Sequence, residues 1–151
     1  MYEFSGAEAA VFTLQNKCRN TIWPGILPGS GQIQLMNGGF QLNPGEVVNV
    51  TAPKKWSGRF WPRRFCKFDS AGNGQCLTGD CGGKLQCTGA GGAPPATLAE
   101  FTLDSPVDYY DVISDFRIDS PFGPSHELFK LLCGVADDDR DDSWLDAYDR
   151  I

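Results

Sequence analysis

Apolar and polar residues alternate in "TLAEFTL" (97–103) and "DYYDVI" (108–113), the period of a half-buried strand. "VFTLQNKC" (11–18) and "SGRFW" (57–61) are rich enough in β-branched and aromatic residues to be strands too. "GGFQLNPGEVVNVTAP" (38–53) predicts two short strands about the turn Asn43-Pro44-Gly45. Two Pro-Gly pairs in "TIWPGILPGSG" (21–31) end the first strand, and "GAGGAPPA" (89–96) is a loop. Between them, "GNGQCLTGDCGGKLQC" (72–87) has five glycines and three cysteines and predicts a looped insert. Short strands every ten residues or so predict a mainly β, antiparallel sandwich.

The last forty residues break this rhythm. "SHELFKLLCG" (125–134) places Leu128, Leu131 and Leu132 on one helical face, with Ser125 as N-cap and Gly134 as stop. Five aspartates follow within residues 137–142, a run that predicts a solvated, irregular tail. It lacks the glycine turn and spaced ligands of a calcium loop. Charge divides at the same place. Residues 1–112 carry nine acids and nine bases, so the whole net charge of −6 lies in 113–151. The neutral body gives no basic face for nucleic acid, and no apolar run approaches a membrane span.

Four of the six cysteines, Cys66, Cys76, Cys81 and Cys87, fall within 22 residues. Disulfides in an oxidising compartment or a zinc site would each explain such a cluster. Zinc favours C-x₂₋₄-C knuckles, whereas the gaps here are nine, four and five residues, and the only histidine, His126, is distant. Disulfides are therefore favoured, with no metal and no cofactor expected. At the N-terminus "AEA" matches a signal-peptidase cleavage pattern, but "MYEF" before it supplies no apolar core. Residues 1–9 read as the remnant of a signal segment or as a terminal arm.

The opening and central blocks together carry a resemblance. The pattern G-x-G-x-C-x-T-G-D-C-x-G-x-x-x-C at 72–87 resembles the signature of thaumatin-like proteins, the pathogenesis-related plant proteins of the thaumatin type. "FTLQNKCRNTIWPGIL", "GRFWPRRFC", "PPATLAEFTL" and "DYYDV" flank it in the family's order, from about Ala10 to Val112. The resemblance implies a thaumatin-type sandwich over 10–112 and a divergent acidic tail over 113–151, a truncated form. It implies disulfides Cys66–Cys76 and Cys81–Cys87, each contributing about 2–3 kcal/mol through loop closure. Cys18 lacks its usual distant partner, so Cys18 and Cys133 are expected to be free thiols or to pair between molecules.

The resemblance also implies a site. The family's acidic cleft combines one arginine, one glutamate and three aspartates. Arg59, Glu100 and Asp111 match three of them, with Arg63 close by, and Tyr109 shares the outer side with Asp111. The position for the next aspartate is Phe116, with Asp115 a doubtful substitute, and the last aspartate has no counterpart. Without the resemblance, Arg59, Glu100 and Asp111 read as a surface ion-pair cluster. Glu100 and Asp111 are the catalytic candidates, since a carboxylate pair can hydrolyse a glycosidic bond. Arg59, Glu100, Asp111 and Tyr109 would bind substrate, and Tyr110 and Trp61 are either sugar platforms or core. The implied partner is β-1,3-glucan of fungal walls, bound by a secreted, monomeric, apoplastic defence protein with little or no turnover. The alternative is a non-enzymatic interaction or inhibitor protein, or an inactive truncated product. Asn49-Val50-Thr51 is an N-glycosylation sequon within a predicted strand.

Overall fold

The computed structural model describes residues 10–103, 109–114 and 145–150. Among them are nine strands, β1 (Ala10–Gln15), β2 (Gly25–Pro28), β3 (Val47–Ala52), β4 (Ser57–Trp61), β5 (Arg64–Phe68), β6 (Gly74–Thr78), β7 (Thr97–Thr102), β8 (Tyr109–Ser114) and β9 (Leu145–Arg150). They form a three-stranded sheet β3-β1-β9, a four-stranded sheet β2-β4-β7-β8 and the hairpin β5-β6, all antiparallel.

Alternation puts one face of each larger sheet inward. On β1, Ala10, Phe12 and Leu14 are buried while Val11, Thr13 and Gln15 are half-buried. Phe12 meets Phe60 of β4 at 4.8 Å and Phe101 of β7 at 4.7 Å between ring centroids, with Trp56 at 6.0 Å. These four aromatic side chains join Ile26, Val50 and Ala99 in the main core, where loss of a Phe ring costs about 3–5 kcal/mol. Ala99, Phe101 and Leu103 all point inward, as the alternation of "TLAEFTL" predicts.

A second, smaller core lies on the other face of the four-stranded sheet. Trp61 packs there on the Cys81–Cys87 disulfide, with Leu27, Ala90 and Leu98 around it. The cysteine-rich stretch is therefore a lid on one sheet face. Cys66–Cys76 staples β5 to β6 directly across the hairpin, and Cys81–Cys87 closes the loop that follows. Four of the stretch's five glycines hold φ between +69° and +78°, where a Cβ would be strained. A Cβ on the fifth, Gly74, would lie 1.7 Å from the Lys67 carbonyl oxygen.

Arg63 fastens this lid to the sandwich. Its side chain is fully buried. Nε donates to Trp23 O at 2.8 Å, and Nη2 donates to Pro24 O at 3.3 Å. On the lid side, Nη1 donates to Lys84 O at 2.8 Å and Nη2 to Leu85 O at 2.7 Å. Nη1 also lies 3.4 Å from Cys81 Sγ, and the ring of Phe68 stands 5.7 Å below the guanidinium. Burial pushes the guanidinium below its usual value, to about 10, while Asp80 pushes it back up, so it is charged at physiological pH.

Four expectations change. No strand forms over 38–42; a 3-10 turn at Met36–Gly38 and isolated bridges from Gly39 to Gly25 and from Leu42 to Ile22 replace it, with Asn37 and Gly38 at positive φ. "GILP", expected only as a turn, is strand β2, and part of the expected insert is strand β6, which pairs with β5. The end of the expected irregular tail is strand β9, hydrogen-bonded along β1 with Ala10 opposite Arg150. Pairing with an open strand edge outweighs an acidic local composition.

The last point bears on Cys18, which is disulfide-bonded; no free cysteine occurs among the described residues. This corrects the expectation of a free Cys18. That expectation assumed a randomly placed tail, whereas β9 runs against the strand that leads to Cys18. Cys18 is also 5% exposed, and its N–H donates to Asn16 Oδ1 at 2.8 Å. Cys133, the helix-like segment, the aspartate run, Asp115 and residues 1–9 lie outside the described residues.

Two measurements check this fold. Labelling of the denatured, unreduced protein is expected to modify none of Cys18, Cys66, Cys76, Cys81 and Cys87, and a labelled Cys18 peptide would restore the free-thiol reading. Arg63→Lys supplies three donors from one atom and leaves buried carbonyls unpaired. It is expected to cost about 3 kcal/mol in urea unfolding at unchanged m; a loss under about 1 kcal/mol would show that the network is not what holds the lid.

Candidate functional site

Strand register brings the predicted site residues into line. Arg59 of β4 lies directly opposite Glu100 of β7, and Glu100 directly opposite Asp111 of β8. Leu27 of β2 completes the row on the far side of Arg59. Directly opposed residues hold their Cβ atoms about 4.5–5.5 Å apart. Three of the four strands thus carry one charged rung, positive then twice negative, across the outer face of the four-stranded sheet.

Within the rung Arg59 Nε stands 3.5 Å from Glu100 Oε1, with side chains 40% and 36% exposed. Such a pair contributes at most about 1 kcal/mol. Asp111 is exposed. Two carboxylates directly opposite each other repel, at a cost of roughly 0.2–1 kcal/mol. Stability alone does not select that arrangement. It does offer a ligand two adjacent acceptor groups and a planar donor, the combination that grips vicinal hydroxyls.

The rung has a covered side and an open side. Two residues along the strands, Trp61 and Leu98 belong to the small core beneath the stapled loop. That loop is itself pinned. Trp61 Nε1 donates to Gly79 O at 2.8 Å, and the Asp80 carboxylate accepts from Cys76 N at 2.8 Å and Gly83 N at 2.9 Å. In the other direction Ser57, Thr102 and Tyr109 follow on the same face, Ser57 opposite Thr102 and Thr102 opposite Tyr109.

Of the sequence-predicted residues, Arg59, Glu100, Asp111 and Tyr109 come together on this face. Trp61 does not join them as a sugar platform, being fully buried. Arg63 is a structural bolt rather than a site group. Tyr110 pairs with Phe101 and so alternates to the opposite side of β8. Asn49 lies far off in sheet order, exposed on edge strand β3, where its Oδ1 accepts from Thr13 Oγ1 at 3.0 Å. The period of two that puts Glu100 on this face also puts Thr102 there, and Ser57, two positions from Arg59, joins it. No group of three metal-ligating side chains occurs among the described residues. A separate hollow of about 370 Å³ lies between residues 70–72 and 84–88, and none of the rung residues lines it.

The family model for the thaumatin family matches residues 16–119. The chain belongs to the thaumatin family. It is 58% identical over 106 residues to pathogenesis-related thaumatin-like protein 3.5 of Cryptomeria japonica, covering 70% of this chain and 44% of that protein. It is likewise 58% identical over 106 residues to pathogenesis-related protein 5 of Arabidopsis thaliana, covering 69% of this chain and 43% of that one. With thaumatin-like protein 1 of Pyrus pyrifolia it shares 50% identity over 141 residues, 88% of this chain and 58% of that protein. Among solved structures, a thaumatin-like xylanase inhibitor superposes with a TM-score of 0.56 at 39% identity, covering 66% of this chain and 64% of the inhibitor. The chain therefore spans under half the length of several of its thaumatin-like relatives.

The repulsion within the rung gives a prediction about stability. Asp111→Asn removes it and is expected to raise unfolding stability by up to about 0.5 kcal/mol. Glu100→Gln, which also loses the Arg59 pair, is expected to change it by less than about 1 kcal/mol. A loss above about 2 kcal/mol in either variant would mark these carboxylates as structural.

Proposed function

We propose that this chain is a plant-defence thaumatin-like protein that binds β-1,3-glucan of fungal cell walls through Arg59, Glu100 and Asp111, with Tyr109 beside them, as an antifungal protein outside the cell. The observation that carries the proposal is the charged rung, three side chains from three strands in one line on an accessible sheet face. Sugar hydroxyls donate to Glu100 and Asp111 and accept from Arg59, while the stapled loop limits the ligand on one side. The opposite side is open, with no second wall among the described residues to exclude water. That favours binding over turnover, although a carboxylate pair is the equipment of glycoside hydrolysis. Disulfides Cys66–Cys76 and Cys81–Cys87 support an extracellular location, and in a secretory pathway the exposed Asn49 would be open to glycosylation.

A pull-down on insoluble β-1,3-glucan tests the proposal. Wild type is expected in the pellet, and Glu100→Gln and Asp111→Asn are each expected to cut retention about tenfold, as loss of charge-assisted hydrogen bonds does. Equal retention of all three proteins would remove the rung from the binding site.

The superposition on a thaumatin-like xylanase inhibitor favours a second reading, a non-enzymatic inhibitor of another glycan-processing enzyme. Incubation with fungal xylanases and glucanases separates the two. Stoichiometric loss of enzyme activity without glucan retention would establish the inhibitor and displace the glucan binder.

A further inference from the structure

The line Ser57–Thr102–Tyr109 sits one rung from the charged residues on the same sheet face. It brings together three hydroxyl-bearing side chains of three adjacent strands. Thr102 is exposed, and Tyr109, at 63%, is one of the few large aromatic side chains left in solvent. Ser57 is half-buried, its Oγ 2.4 Å from where a Cβ on Gly29 would stand. Their neighbours differ. Trp61 and Leu98, the same distance away on the other side of the charged rung, are absorbed into the small core. The face thus grades from apolar and covered, through charged and half-exposed, to neutral, aromatic and open.

We propose that Ser57, Thr102 and Tyr109 form a second, neutral subsite that holds the sugar unit next to the one gripped by Arg59, Glu100 and Asp111. Two residues along a strand advance about 6.6–6.8 Å, so the next row lies within reach of the sugar adjoining the one held by the charged residues. A polysaccharide lying parallel to β4, β7 and β8 therefore passes over both rows. Tyr109 presents a flat apolar face to the ring's C–H groups and keeps a polar tip for its hydroxyls. Thr102 and Ser57 each offer a donor and acceptors to an uncharged partner. This subsite rests on the carbohydrate-binding reading above and deepens it: the bound species is an oligomer of neutral sugars rather than a single acidic or basic one.

Isothermal titration with a β-1,3-linked glucose hexasaccharide tests the subsite, with a β-1,4-linked xylose hexasaccharide in parallel. Tyr109→Ala is expected to weaken binding about tenfold, in keeping with loss of a stacking aromatic. Tyr109→Phe, which keeps the ring, is expected to stay within about twofold, and Thr102→Val to lose about three- to fivefold for one hydroxyl. Unchanged melting temperatures will show that these exposed variants fold. If wild type binds and Tyr109→Ala and Thr102→Val bind equally well, the neutral subsite is overturned while the charged rung stands. If Tyr109→Ala fails but Glu100→Gln and Asp111→Asn bind as wild type does, the charged rung falls and the neutral subsite stands. Binding of neither hexasaccharide by wild type overturns both.

Discussion

The guanidinium of Arg63 joins two parts of the chain that nothing else connects so densely. It donates to the carbonyls of Trp23 and Pro24 on the sandwich side and to those of Lys84 and Leu85 on the lid side. A buried charge is costly, and it is tolerated only when its donors are satisfied. Here the acceptors are backbone carbonyls, which would themselves be orphaned without the guanidinium. The cost of burying the charge and the cost of burying the carbonyls therefore offset each other, and the bond set is strongly cooperative. Phe68 and Cys81 line the same pocket.

The site inherits its shape from this arrangement. With the lid fixed, Trp61 and Leu98 are covered and the rung beside them becomes the first accessible row of the sheet. The disulfides do no chemistry; they hold a loop that has no hydrophobic core of its own beyond Trp61 and its neighbours. The carboxylates, by contrast, stand where stability does not want them, opposite each other on neighbouring strands. A stapled, over-determined wall thus stands beside a mildly frustrated charged row.

Much of this was legible in the sequence because it depends on a period of two. "SGRFW", "TLAEFTL" and "DYYDVI" identify their strands, and alternation alone sends Glu100 outward with Leu98 and Thr102 while Ala99, Phe101 and Leu103 turn in. Which residues face each other across strands was not legible, because register is set by tertiary packing. The charged rung and its neutral neighbour emerge only from that register. The role of Arg63 was not legible for a related reason: its burial depends on carbonyls about twenty and forty positions away. β9 and the disulfide-bonded state of Cys18 were missed because local composition was weighed and long-range pairing was not.

The central claim is that one sheet face, organised by strand register beside the Arg63-fastened lid, is where this protein meets a polysaccharide. Backbone amide shifts recorded by NMR during titration with a β-1,3-glucan oligosaccharide test it most directly. The account predicts that the largest perturbations fall on Ser57, Arg59, Glu100, Thr102, Tyr109 and Asp111, with β3 and its exposed Asn49 unmoved. Perturbations confined instead to residues 70–72 and 84–88, around the separate hollow, would contradict it.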